Sequence, residues 1–145
     1  MSLYELLCDP LFRSSLLTLW LLPCAIQDRR TRHVSNWLTV PLFILAWPAA
    51  LLTGNLLLTL ATFVGVYAAF RWSGNGFGPA DGKIAVGLAG VAPLALFAGM
   101  AVQVLAFAVC RLRGQRETRL PGIPGYYLGA VIVVLVSAGQ LALHR

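Results

Sequence analysis

Charged side chains make up only 11% of these 145 residues against 59% hydrophobic ones, and the acidic ones are limited to Glu5, Asp9, Asp28, Asp81 and Glu117. A water-soluble globule carries charge on roughly a quarter of its residues, so this composition excludes one and places the chain in lipid. Cysteine is equally sparse. Cys8, Cys24 and Cys110 stand apart with no CxxC pair, which signals neither a zinc site nor a disulfide framework. Each reads as a small buried hydrophobe. HExxH and GxSxG are both missing, and with them the usual metal and serine routes to hydrolysis. There is no internal repeat, low-complexity tract or long linker, so residues 1–145 read as one membrane-embedded domain. Leu21-Leu22-Pro23-Cys24 has the outline of a lipoprotein cleavage box. However, Pro23 is a poor neighbour for a scissile bond and no basic stretch precedes it, so the N-terminus is expected to stay uncleaved.

What the chain has is apolar runs. About 20 apolar residues cross the hydrocarbon core, and the polar breaks here divide the chain into segments near 11–26, 37–52, 56–72, 84–92, 94–110 and 123–143. The stretch from Ile84 to Cys110 carries no charge and as a single helix would run about 40 Å, too long for an ordinary crossing. Pro93 supplies the break. The expected fold is therefore an all-α polytopic helical bundle with about six transmembrane segments.

The formal charge of +6 does not point to nucleic acid, because the basic residues sit in short blocks between apolar runs. Lys and Arg in short loops favour the cytoplasm. With the break at Pro93, Arg29, Arg30, Arg32, Arg71, Lys83, Arg111, Arg113, Arg116 and Arg119 fall on one side, leaving Arg13 and Arg145 on the other. The N-terminus is then outside. One long crossing from Ile84 to Cys110 would instead put the densest basic loop outside.

Chemistry has few places to sit. Glu5 and Asp9 belong to the outer side, and Glu117 balances the arginines around it. Asp28 and Asp81 both lie where an apolar segment meets the cytoplasmic interface, a depth at which ionisable groups are costly. Two carboxylates in one site are driven to different protonation states, so that one can activate water while the other donates a proton. Taken singly each has a structural reading: Asp28 can end a helix beside Arg29 to Arg32, and Asp81 can cap the N-terminus of the fourth segment. The glycines around residues 74–78 can be a plain connector or a backbone left open to a substrate strand. A small proton-coupled transporter using the same carboxylates, or a non-catalytic scaffold, would also explain two such groups. The transporter does not account for both lying on one side, nor for the glycine-rich turn before Asp81.

Two motifs narrow the choice. Asp28-Arg29-Arg30-Thr31-Arg32-His33-Val34-Ser35-Asn36 resembles the first-aspartate motif of type IV prepilin peptidases, an Asp followed by a basic stretch and Ile-Pro-Asn. Gly76-Phe77-Gly78-Pro79-Ala80-Asp81-Gly82-Lys83-Ile84 is similar to their second, Gly-x-Gly-Asp-x-Lys-Leu, and Pro121-Gly122-Ile123-Pro124-Gly125 looks like their C-terminal region. The sequence departs from the pattern at Val34, Ser35 and Ala80, where the family has Ile, Pro and Gly. The resemblance implies Asp28 and Asp81 as a catalytic pair that needs no cofactor or metal, with Asn36, Gly76, Gly78 and Lys83 shaping the site. The implied substrate is the basic leader of a prepilin or pseudopilin, cut at the inner face of a prokaryotic cytoplasmic membrane. Larger members carry a cysteine-bearing insert and methylate the new N-terminus; this chain resembles the short, peptidase-only type of tight-adherence pilus systems. Leader and inner face are both basic, so long-range steering opposes encounter and co-localisation in the bilayer must dominate it.

The loop charges predict that a reporter fused near Arg116 reads cytoplasmic and one near Gly54 external. An external signal at Arg116 would overturn the six-segment reading and the shared depth of the two aspartates.

Overall fold

A computed structural model of the chain describes residues 5, 8–72, 78–114 and 122–143. Six long helices occupy almost all of them: α1 (Pro10–Thr31), α2 (Asn36–Thr53), α3 (Leu56–Trp72), α4 (Pro79–Val91), α5 (Pro93–Leu112) and α6 (Gly122–Leu143). The bounds fall close to the polar breaks of the sequence. The expected stop before Pro93 is present: α4 ends at Val91, and Pro93 opens α5 at a position where its missing N–H costs nothing. One boundary moved. The first helix continues through the polar residues to Thr31 and closes on Arg32 in the left-handed region, φ 52°, whose N–H bonds the Asp28 carbonyl at 2.8 Å. Asp28 therefore sits inside the last turn of α1 and not in a loop.

By length and composition α2, α5 and α6 are each able to cross a membrane, and α3 is a shorter apolar helix. Leucine, valine and phenylalanine side chains cover their outer faces, including Leu57, Leu94, Val104 and Leu135. In water such a surface would aggregate; in lipid it is the solvated face.

Small residues set the closest approaches inside the bundle. The short helix α4 is the centre, with Ile84, Ala85, Val86, Leu88 and Ala89 all buried. It packs against α2 and α3 on one side, and α5, α6 and α1 also reach it. Gly87 lies under the Leu42 side chain and Gly90 against the Ala46 carbonyl, approaches that a Cβ would block. The second close pair is α5 against α6, where Gly99 meets Gly129 backbone to backbone. Lipid tails are as apolar as leucine, so backbone proximity through small residues is what holds such helices together.

Hydrogen bonds fix the relative directions. Thr53 at the end of α2 donates to the Gly90 carbonyl near the end of α4 at 3.2 Å, while Lys83 near the start of α4 reaches Asn36 at the start of α2 at 2.7 Å. These two helices run parallel, and their N-termini share one end of the bundle with the C-terminus of α1 and the N-terminus of α6.

The glycine packing predicts a contrast within one helix. Gly129→Val places methyls on the Gly99 backbone and should lower the detergent-solubilised melting point by the equivalent of about 1–3 kcal/mol. Gly139→Val meets nothing within 4 Å and should melt like the parent.

Candidate active site

Asp28 and Asp81 arrive from different helices at the same peptide group. Asp28 is buried, 9% exposed, in the last turn of α1, and its Oδ2 accepts the Ile123 N–H of α6 at 3.2 Å across 95 positions of sequence. Asp81 lies in the first turn of α4, where Gly78 is the N-cap and Pro79 the first helical residue. A Cβ built on Gly122 would stand 2.6 Å from its Oδ1, and one built on Gly78 would stand 3.2 Å from its Oδ2. One carboxylate is thus hydrogen-bonded to the Gly122–Ile123 peptide and the other rests on the bare Cα beside it.

Both single-residue structural readings need correction. Asp81 is not the N-cap of α4: Gly78 holds that place without a side-chain bond, and Asp81 stands three residues further in. Asp28 does end a helix, but its carboxylate is turned inward to Ile123 N–H.

The electrostatics separate the two acids. Both lie beyond the apolar stretches of their helices, Asp28 after Ile26 and Asp81 before Ile84. Burial pushes the Asp81 pKa up from 3.8 to about 6, and the nearby Asp28 charge adds to the rise. Burial also raises Asp28, but the Ile123 N–H bond works against it by stabilising the ionised form. Among the described residues Asp81 has no such compensation: its Oδ1 is buried without a hydrogen-bond partner there. An unpaired buried oxygen costs roughly 1–3 kcal/mol, so this group is held ready for a proton or for a ligand's donor. Two helix N-termini, of α4 and α6, point their partial positive charge into the same space.

Of the other motif residues that are described, Gly78 is the one placed against this pair. Gly78 touches Asp81, as described. Asn36 and Lys83 are bonded to each other and bridge the starts of α2 and α4. Gly76 lies outside the described residues. Ala80 is helical, and Arg32 is the only described non-glycine residue with positive φ, so alanine meets no backbone obstacle there. Among the described residues no three His, Cys, Asp or Glu side chains gather in one place.

Sequence reading missed the floor of the site. Gly122 and the Ile123 amide open α6, in a Pro-Gly-Ile-Pro-Gly stretch of sequence noted only as a resemblance. The Tyr126 ring, one turn on, is buried within electrostatic reach of Asp81. A groove of about 240 Å³ lined by Phe43, Phe63, Tyr67, Phe70, Pro79 and Lys83 opens beside the first turn of α4. A larger cavity, about 390 Å³, lies towards the other end near Thr53 and Val91, and neither it nor the groove is lined by an aspartate. The chemistry of the carboxylates, and not cavity size, marks the candidate site.

Known proteins give one decisive comparison. Neither the curated proteins nor the solved structures provide a match to the chain. The type IV leader peptidase family, in contrast, is matched over residues 15–138, from the first half of α1 to within the last two turns of α6. That span contains every residue assembled above, and with its apolar helices the chain is a multi-pass membrane protein that belongs to the type IV leader peptidase family.

Proposed function

We propose that the protein is an aspartic endopeptidase that removes the leader of a prepilin or pseudopilin at the cytoplasmic membrane face of a prokaryote, with Asp28 and Asp81 as its two catalytic groups. The observation that carries this reading is their convergence on the Gly122–Ile123 peptide from helices that share no sequence neighbourhood. Two carboxylates at one spot, one bonded to a backbone donor and one held towards its neutral form, are the parts needed to hydrolyse an amide without a covalent nucleophile.

In the proposed cycle the ionised carboxylate takes a proton from water as the water oxygen attacks the scissile carbonyl carbon. The neutral carboxyl gives its proton to the carbonyl oxygen. The tetrahedral gem-diol then collapses: one of its hydroxyls returns a proton to the ionised carboxylate as the C=O bond re-forms, the C–N bond breaks, and the leaving amine takes the proton held by the other carboxyl, which restores the starting pair. Asp28, bonded to Ile123 N–H, suits the ionised role at the start and Asp81 the neutral one, although the two titrate as a unit. The apolar groove beside Lys83 suits the first hydrophobic residues after the cut. Only four residues separate α1 from α2, which leaves no room there for a cysteine-bearing insert and favours the peptidase-only type.

Asp28→Asn and Asp81→Asn should each lower leader cleavage by about 10²- to 10⁴-fold, and the double variant should be scarcely worse than either, because the groups act together. Glu117→Gln should cleave like the parent. If Asp81→Asn accumulates normally and still trims at the parental rate, the assignment fails.

The same substitution has an opposite signature in stability. The folded-state pKa of Asp81 is above its unfolded value of 3.8, so at neutral pH its charge opposes folding. Asp81→Asn should therefore melt higher than the parent at pH 7.5, by the equivalent of about 1–2 kcal/mol, with the gap closing as the pH is lowered through 6 towards 4. A variant that melts lower at pH 7.5 would mean the carboxylate is stabilised by a contact not found around it. Gly122→Ala drives a methyl into the Asp81 carboxylate and should cut cleavage by at least about tenfold with little loss of abundance, the displacement being one of geometry. Parental cleavage by this variant would remove Gly122 from the site.

A further inference from the structure

The apolar run of α5 contains one uncharged polar side chain with hydrogen-bonding power, Gln103. A polar group at this depth needs a partner, and Gln103 Nε2 donates to the Gly122 carbonyl at 2.8 Å. The carbonyl of Gly122 and the N–H of Ile123 belong to the same amide. Gln103 therefore holds the oxygen of the peptide whose hydrogen is bonded to Asp28 Oδ2, giving a chain from Gln103 amide to peptide to carboxylate. Successive bonds through one amide polarise each other, and a planar peptide held at both ends cannot rotate freely.

The local sequence is arranged to admit this side chain. Gly125, one turn from the peptide's start, lies against the Gln103 stem where a Cβ would collide with Cγ. Gly99, one turn back on α5, clears the Tyr126 ring, whose nearest atom would be 2.7 Å from a Cβ there. Both glycines let α5 approach the first turn of α6 closely enough for an amide side chain to span the gap.

We propose that Gln103 is a positioning residue of the peptidase, orienting the Gly122–Ile123 peptide so that its N–H faces Asp28 while its Cα backs Asp81. The inference rests on the aspartic peptidase reading and extends it to a residue on a helix that carries no catalytic group. The competing role is plain adhesion between α5 and α6, a common use of an intramembrane glutamine. Adhesion and positioning differ in what they do to Asp28. Loss of the clamp loosens the Ile123 N–H bond, which favours the ionised carboxylate, so the acidic limb of the pH profile must move up. Among the described residues the titratable and charged groups on the surrounding elements are Asp81 and Lys83 on α4, Tyr126 and Tyr127 on α6, Cys110 and Arg111 on α5, and Arg13, Cys24, Arg29 and Arg30 on α1 itself. A neutral substitution at 103 leaves every charge in place but also removes a hydrogen bond to Tyr126, so Tyr126→Phe serves as the control for that loss.

Gln103→Met keeps length and neutrality and removes the donor. Expected in detergent with a synthetic prepilin leader are a kcat lowered roughly ten- to a hundredfold, an unchanged KM and an acidic limb of kcat/KM raised by about half a pH unit. Gly125→Ala leaves the glutamine but displaces its stem and should move the limb in the same direction. Infrared titration of the carboxyl groups, with Asp28→Asn as the reference, reads the same shift without substrate. An Asp28 band that moves in the Met variant supports positioning even if the parent cleaves no leader tested, an outcome that would fault only the peptidase reading. A Met variant that loses melting temperature and rate while keeping the parental acidic limb and Asp28 band is held by adhesion alone and overturns the proposal. If the Met variant does not accumulate, an unshifted Gly125→Ala overturns it equally.

Discussion

A carboxylate withdrawn from water must find a donor, and Asp28 finds one on another helix, the Ile123 N–H. Much of the arrangement at this end of the bundle follows from that bond. Helix N-termini leave their first N–H groups without intrahelical partners, so the start of α6 is the one part of that helix able to serve a carboxylate from outside. Satisfying Asp28 in this way brings the C-terminus of α1 onto the N-terminus of α6, and the peptide they share becomes the surface on which Asp81 is seated. Gly122 completes the arrangement because a side chain at that position would occupy the space of the Asp81 carboxylate.

This closeness is made possible by a core with almost no bulk at its crossing points. α4 passes through the middle of the bundle with Gly82, Gly87 and Gly90 all buried, and α5 meets α6 through Gly99, Gly125 and Gly129. In soluble proteins such glycines would cost helix stability of about 1 kcal/mol each. In lipid the helices have no alternative to their internal hydrogen bonds, so the cost is smaller than the dispersion gained by backbone contact. The consequence for the site is stiffness. Elements packed backbone against backbone have no slack side chains through which two carboxylates could drift apart.

The sequence made the helices legible and only half of the site. α3 spans the expected residues, and the α4–α5 break was readable because proline is a break wherever it falls. Asp28 and Asp81 stood out since acidic residues are few and both lie where an apolar segment meets the interface. Their meeting place did not, because a contact between residues 28 and 123 leaves no periodic trace in one sequence. Gln103 was silent for a related reason: a single glutamine in an apolar helix has the same pattern whether it faces lipid-buried backbone or a site. The end of α1 was misjudged since polar residues were read as a stop. The chain instead continues helically until Arg32 takes the left-handed turn, and that extra turn is what carries Asp28 to α6.

The motif departures also become intelligible in physical terms. Where the resembling family has proline, Ser35 occupies a backbone conformation, φ −60° and ψ 139°, that proline itself would adopt without strain. Serine differs by keeping an N–H, and that hydrogen is not wasted: it bonds Gln27 Oε1 at 3.0 Å, tying the connection back to α1 one residue before Asp28. Its hydroxyl accepts the Trp37 N–H at 3.3 Å and so caps α2, the role for which serine is favoured. Val34, in place of isoleucine, is 4% exposed and fills the core with one methylene less. Ala80 lies in the regular first turn of α4, where alanine is a better helix former than glycine. Each change is accommodated by a local bond or by ordinary helix geometry, and none disturbs the peptide between Gly122 and Ile123 on which both carboxylates converge.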